Sequence, residues 1–210
     1  FDPAGHTIEF QGYNTTIDAA GVTFDDVTIN TSGTTTFTQD IAIRGDLTIE
    51  ATQRIDGGQL QVAGNITAND NSWYGSSEVV LNGTGDQVIT TDGSGELHDV
   101  TIDKASGTVT LGNDLEISGN LTVVNGNFDP AGHTIEFQGY NTTIDAAGVT
   151  FGDVSIYTSG TTTFTHDIEI RGDLTIEATQ RIDGAQLQVA GNVTANDNNW
   201  YGSGEVVLNG

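Results

Sequence analysis

The chain has no cysteine and no methionine, only two prolines, and only five Lys and Arg among 210 residues. Without thiols there is no disulfide staple, no zinc–thiolate site and no thiol nucleophile. The few basic residues stand against 29 aspartates and glutamates, for a formal net charge of −24. Nucleic acid and anionic lipid both require a cationic face, so neither is expected as a partner. Long apolar runs are missing too. The longest are a few residues, as in Val79-Val80-Leu81, and no segment is suited to span a membrane. No signal peptide is visible, yet the chain opens on Phe rather than Met, so it reads as a piece of something longer. An acidic, self-repelling surface of this kind is common in extracellular or salt-exposed proteins.

What is abundant is Thr, Gly, Asn and Asp, and they are arranged in a repeat. The stretch FDPAGHTIEFQGYNTTIDAAGVTF begins at Phe1 and returns unchanged at Phe128. Residues 1–83 align without gaps on 128–210, with 74 of 83 positions identical. Among the differences, Asp25 becomes Gly152, Asn30 becomes Tyr157, Gln39 becomes His166 and Ala42 becomes Glu169. The unit is therefore 127 residues: 1–127 is a first unit and 128–210 part of a second, with no linker between them.

A finer period lies inside the unit. Cut after each turn, it becomes seven lines of nearly equal length, such as LEISGNLTVVNGNFDPAG and IEIRGDLTIEATQRIDGA. Each line carries an alternating strand, a corner, a second alternating strand and a polar turn. Leu115 and Ile117 flank Glu116, Ile168 and Ile170 flank Glu169, and Leu187 and Val189 flank Gln188; this is the pattern of half-buried strands. No helical period is present. The corners read Gly-Asp or Gly-Asn, as at Gly45-Asp46, Gly64-Asn65, Gly119-Asn120, Gly172-Asp173 and Gly191-Asn192. A glycine in a left-handed or otherwise special conformation bends a strand more readily than it reverses one. Lines of equal length can then stack with each inward residue on its like. The expected fold is all-β, a parallel β-solenoid with rungs of about 16–19 residues. Ten complete rungs would run from His6–Gly21 to Gln186–Gly204, seven to the unit, with the unit advancing roughly 34 Å.

Phrases such as LEISGNLTVVNGNFDPAGHTIEF and GSGELHDVTIDKASGTVTLGNDLEISGNLTV resemble the repeats of large bacterial surface proteins. Those are adhesins and fibres of the filamentous-haemagglutinin and autotransporter-passenger kind. The resemblance covers the whole chain. It implies a right-handed β-helix, export to the cell surface, and a role in attachment or scaffolding. It carries over no functional residue.

Several features invite a chemical reading. Trp73-Tyr74 in NDNSWYGSSE and Trp200-Tyr201 in NDNNWYGSGE set aromatics in a polar turn once per unit, where they suit stacking on sugars or on a neighbouring fibre. An outward Thr column (Thr16, Thr36, Thr48, Thr67, Thr110, Thr122, Thr143, Thr163, Thr175, Thr194) has the look of an ice-binding rank, although its flanks are mostly polar or charged. Glu116 is expected directly below Glu136, and stacked carboxylates attract Ca²⁺, but no DxDxDG loop is present and no cofactor is expected. Arg44, Arg54, Arg171 and Arg181 recur at matching places, and His6, His98, His133 and His166 show neither metal-ligand nor triad spacing, so no enzyme is expected. The expected function is a structural segment of a long extracellular surface fibre, stalk or filament. Its expected partners are neighbouring repeats or end-to-end copies of itself, with surface glycans as further candidates. The alternatives are an adhesin that binds glycan or ice, and more remotely a polysaccharide-active enzyme.

Overall fold

A computed structural model describes residues 5–51, 54–69, 74–92, 96–178, 181–196 and 201–210. The chain is an all-β parallel solenoid. Every strand-to-strand ladder among the described residues is parallel. Each turn crosses three faces. One turn, for example, runs through Thr23–Phe24, Asp26–Thr31 and Thr34–Phe37, and the next through Ile41–Ile43, Leu47–Ala51 and Arg54–Gly57. Nine complete turns of this kind follow one another among the described residues, from Thr23 to Ala195.

This turn differs from the two-strand rung suggested by the sequence lines. The polar stretch that closes a line can itself be a strand, as RIDG at Arg54–Gly57, and the first strand of another line divides into Thr23–Phe24 and Asp26–Thr31, which makes TTTF at Thr34–Phe37 the third. These short runs place Thr35, Phe37 and Ile55 inside, 0%, 1% and 0% exposed, between Thr34, Thr36, Arg54 and Asp56 on the outward side. With a third strand the turn lengthens. Paired residues lie from 19 apart, as Ile43 and Val62, to 23 apart, as Ile66 and Ile89.

The lengthened turn changes how the repeat closes. On the second face the ladder Ile8–Val27–Leu47–Ile66–Ile89–Leu111 climbs five steps. Leu115 lies one corner further on, on the third face, and one more step brings Ile135, the repeat partner of Ile8. A unit of 127 residues thus spans six turns and one face, about 20 residues per turn and a rise on the order of 30 Å. The second copy is turned by one third relative to the first. The boundary after residue 127 falls inside the strand Leu121–Asp129, which pairs with the turn below and the turn above.

The core is the inward residues of three faces. Ile41–Leu60–Val79–Val100–Leu121–Ile144–Phe164 stack on the first face, and Leu97–Ile117–Phe137–Ile156–Ile176 on the third. All are at most 2% exposed. Each such aliphatic side chain contributes about 1.5–3 kcal/mol relative to exposure.

The corners carry a second stack. Asp26 Oδ1 accepts the Asp46 N–H at 2.9 Å, Asp46 Oδ1 accepts the Asn65 N–H at 2.7 Å, and Asn65 Oδ1 accepts the Val88 N–H at 2.9 Å. The same chain of bonds returns one face over, from Asp153 to Asp173 to Asn192, at 2.7 Å each. These side chains satisfy backbone donors where the ladder breaks to turn a corner. The corner glycines do not use the left-handed conformation expected of them. Gly45, Gly64, Gly119, Gly172 and Gly191 all lack a positive φ. They are glycine because the turns pass too close for a side chain: a Cβ on Gly64 would lie 2.3 Å from the Gly45 carbonyl oxygen.

Candidate functional site

Trp73 and Trp200 lie outside the described residues. Of their neighbours, Tyr74 lies in the strand Tyr74–Gly75 on the third face, in register with Arg54 one turn below. Tyr201 makes the corresponding parallel bridge to Arg181, on the first face. The Tyr201 ring is 63% exposed, and the Arg181 guanidinium carbon stands 5.9 Å from its centroid, within cation–π reach.

The same two-turn arrangement supplies acceptors and hydroxyls. The Arg181 Nε pairs with Asp183 Oδ2. Ser203 donates to Asp183 Oδ1 through its backbone N–H at 3.0 Å and its hydroxyl at 3.1 Å. The Ser203 backbone bond and the Arg181 contact hold the Asp183 carboxyl below the usual carboxylate range. In the first copy Arg54 pairs with Asp56, which raises the guanidinium, and Ser76 Oγ donates to Asp56 Oδ1 at 3.2 Å. Each unit therefore groups an arginine, a carboxylate, a serine and a tyrosine at one sheet edge. An exposed ring beside fixed donors and acceptors can stack on a sugar face and hydrogen-bond its hydroxyls. Arginine belongs to this group because it precedes the tyrosine by one full turn, a spacing hidden by the shorter two-strand rung.

The other sequence candidates are distributed differently from expectation. The ten outward threonines do not form one column. Thr16 stacks with Thr36 on the third face, Thr48 with Thr67 on the second, Thr143 with Thr163 on the first, and Thr175 with Thr194 on the third. Three-sided turns and the one-third offset divide the rank, so no flat face carries it. Glu116 does sit directly below Glu136, with Glu96 below both. Arg44 lies 3.6 Å from Asp25, and Arg171 3.3 Å from Glu169. His98, His133 and His166 each stand beside a single aspartate, Asp99, Asp114 and Asp145, at 3.3, 3.5 and 2.9 Å. Among the described residues no three such groups converge to hold a metal ion, and no helix is long and apolar enough to cross a membrane.

One polar cluster was invisible in the sequence. Lys104, the single lysine, is 1% exposed at the corner between the first and second faces. Its Nζ donates to the Gly83 carbonyl at 2.7 Å, the Gly85 carbonyl at 2.9 Å and Gln87 Oε1 at 2.5 Å. Gln87, equally buried, donates to the Val62 carbonyl at 3.0 Å and accepts the Gly83 N–H at 3.0 Å. Burial pushes the ammonium down, against the nearby Asp86 charge. These two residues fill the corner where paired residues are 22 to 23 apart.

Comparison with protein families, with characterised proteins and with solved structures finds no match to this chain.

Proposed function

We propose that the chain is a structural segment of a long, repetitive extracellular fibre, stalk or filament that extends from a cell surface and supports attachment or matrix formation. One observation carries the reading: the boundary after residue 127 lies inside the strand Leu121–Asp129, whose residues 121–122 pair with the turns above and below and whose residues 127–129 pair with the turn below, so the ladder passes from one copy into the next without a break. Adding a unit then adds about 30 Å of length without a hinge. Stability is passed along the axis by nearest-neighbour turns. The acidic composition and the resemblance to bacterial surface repeats favour display outside the cell, with further repeats or end-to-end copies as neighbours. Electron microscopy of the native material tests this. Elongated particles are expected; isolated compact particles would sink it.

A second reading is favoured by the exposed Tyr201 ring under the Arg181 guanidinium. In it the fibre binds glycans through the Arg–Asp–Ser–Tyr edge, together with Trp73 and Trp200. The first copy presents this edge on the third face and the second on the first face. Tyr13 and Tyr140, 69% and 68% exposed, are displaced in the same way. The sites therefore spiral about the axis, an arrangement suited to a surrounding matrix rather than to a flat lattice. A glycan array probed with the wild type and with Tyr74→Ala/Tyr201→Ala and Trp73→Ala/Trp200→Ala variants is the test. Identical profiles would remove these turns from consideration.

A further inference from the structure

On the third face the strands Glu96–Leu97, Leu115–Ile117 and Ile135–Gly139 place Glu96, Glu116 and Glu136 one above another. Successive carboxylates are one turn apart, about 4.8 Å by backbone spacing. Glu96 is 4% exposed, and its Oε1 has no hydrogen-bond partner among the described residues. Gln138 Nε2 donates to Glu116 Oε2 at 2.9 Å and to Glu136 Oε1 at 2.8 Å, which serves the upper two groups. An unpartnered carboxylate oxygen away from water, under a like charge, is a costly arrangement.

The surrounding groups do little to relieve it. Asp92 adds to the repulsion on Glu116. Ser118 and His98 act against burial at Glu96 without reversing it. The His98 Nδ1 is itself 3.3 Å from Asp99, and the ring also feels Asp56. No three groups here converge on a metal ion among the described residues. A proton is the cation that fits one buried oxygen beside a second carboxylate.

We infer that Glu96 and Glu116 form a proton-binding site between successive turns of the third face, and that its occupancy tightens that stack. Glu96 and Glu116 come from one unit and Glu136 from the next. Glu9, the repeat partner of Glu136, pairs with Thr28 one turn above. Gln11 and Asn30, the latter at 3.0 Å, hydrogen-bond Glu9 and hold it below the usual range. In the Glu96–Glu116 stack the direction is the opposite: burial raises Glu96, and burial together with Glu136 and Glu96 raises Glu116. A carboxyl raised in the folded state costs nothing below its unfolded value. It costs progressively more as pH climbs through the folded value, so the stack is tightest in mild acid and loosens towards neutrality. A proton on Glu96 removes one of two adjacent charges and gives the orphan oxygen a hydrogen to donate.

The test uses Glu96→Gln, a neutral mimic of the protonated side chain, with Glu9→Gln as control. Thermal unfolding is compared at pH 5 and pH 7.5, and the Glu96 carboxyl ¹³C shift of the wild type is followed against pH. Glu96→Gln is expected to raise Tm at pH 7.5 by on the order of a few °C and to leave it near the wild-type value at pH 5. Glu9→Gln is expected to give no rise. A Glu96 carboxyl that titrates in the ordinary range, or a Glu96→Gln protein no more stable than wild type at pH 7.5, would overturn the proposal. The carbon titration reads the wild type alone, so it decides the matter even where the variant folds poorly.

Discussion

Phe24 and Phe151 are the same residue of the repeat, yet they lie on different faces of the solenoid. Phe24 pairs with Ile43 on the first face, and Phe151 with Ile170 on the second. Both are buried, 3% and 1% exposed, so one sequence serves two azimuths. This works because all three walls of the core are built from the same inward Ile, Leu, Val and Phe, and all three corners accept the same Gly-Asp or Gly-Asn turn.

The corners should be intolerant of any side chain at the close approaches. Gly64→Ala places a methyl 2.3 Å from the Gly45 carbonyl oxygen, a backbone atom that cannot swing away. The entropic gain of about 0.4–1 kcal/mol from losing a glycine is outweighed by an overpacking cost of about 1–3 kcal/mol. A lowered Tm by circular dichroism is expected. An unchanged or raised Tm would mean that the turns stand further apart.

Lys104→Met keeps the volume of the side chain and removes its donors. The Gly83 and Gly85 carbonyls and Gln87 Oε1 then lose their shared hydrogen-bond partner inside the corner. A loss of about 1–3 kcal/mol is expected in denaturant unfolding. Lys104→Met with Gln87→Leu should recover part of it, because an empty polar network is worse than none. If the single variant is as stable as wild type, the lysine has no clamping role.

How much of this was legible follows from period and length. The two-residue alternation of Leu115-Glu116-Ile117 and Leu187-Gln188-Val189 marks strands whatever surrounds them, and their inward residues are buried as expected. The third face is hidden because Arg54–Gly57 is four residues long and rich in turn-forming types, and because Thr23–Phe24 and Asp26–Thr31 run together as one strand ahead of Thr34–Phe37. Without that face the turn is too short, and every pairing expected across turns shifts with it. The Thr rank dissolves, while the pairings of Arg54 with Tyr74 and Arg181 with Tyr201 leave no trace in the lines. Lys104 and Gln87 give no signal, since a lone lysine and a glutamine near glycines read as surface.

On the acid side, stability should fall steeply. Burial alone would raise Asp99, but the His98 ring and the Asn120 backbone N–H, at 2.6 Å, together hold it below the ordinary range. A carboxyl lowered in the folded state contributes stability above its unfolded value, and that stability is lost as pH falls through the folded value. Asp99, Asp183 and Glu9 all act in this direction, so Tm should drop below about pH 4. Asp99→Asn should shallow this acid limb. An equally steep limb in the variant would assign the loss to other groups.

The central claim, a turn with three sides rather than two, is tested most directly by cysteine pairs in this cysteine-free chain. Thr101 stands in register with Thr122 one turn above, on the first face. The shorter two-strand rung would instead put Thr101 beneath Glu116, which this fold places on the third face. Parallel neighbours lie within the Cα range of about 4.4–6.8 Å that a disulfide accepts. Under mild oxidation, Thr101→Cys/Thr122→Cys should form an intramolecular disulfide and Thr101→Cys/Glu116→Cys should stay reduced; the reverse result would contradict the account.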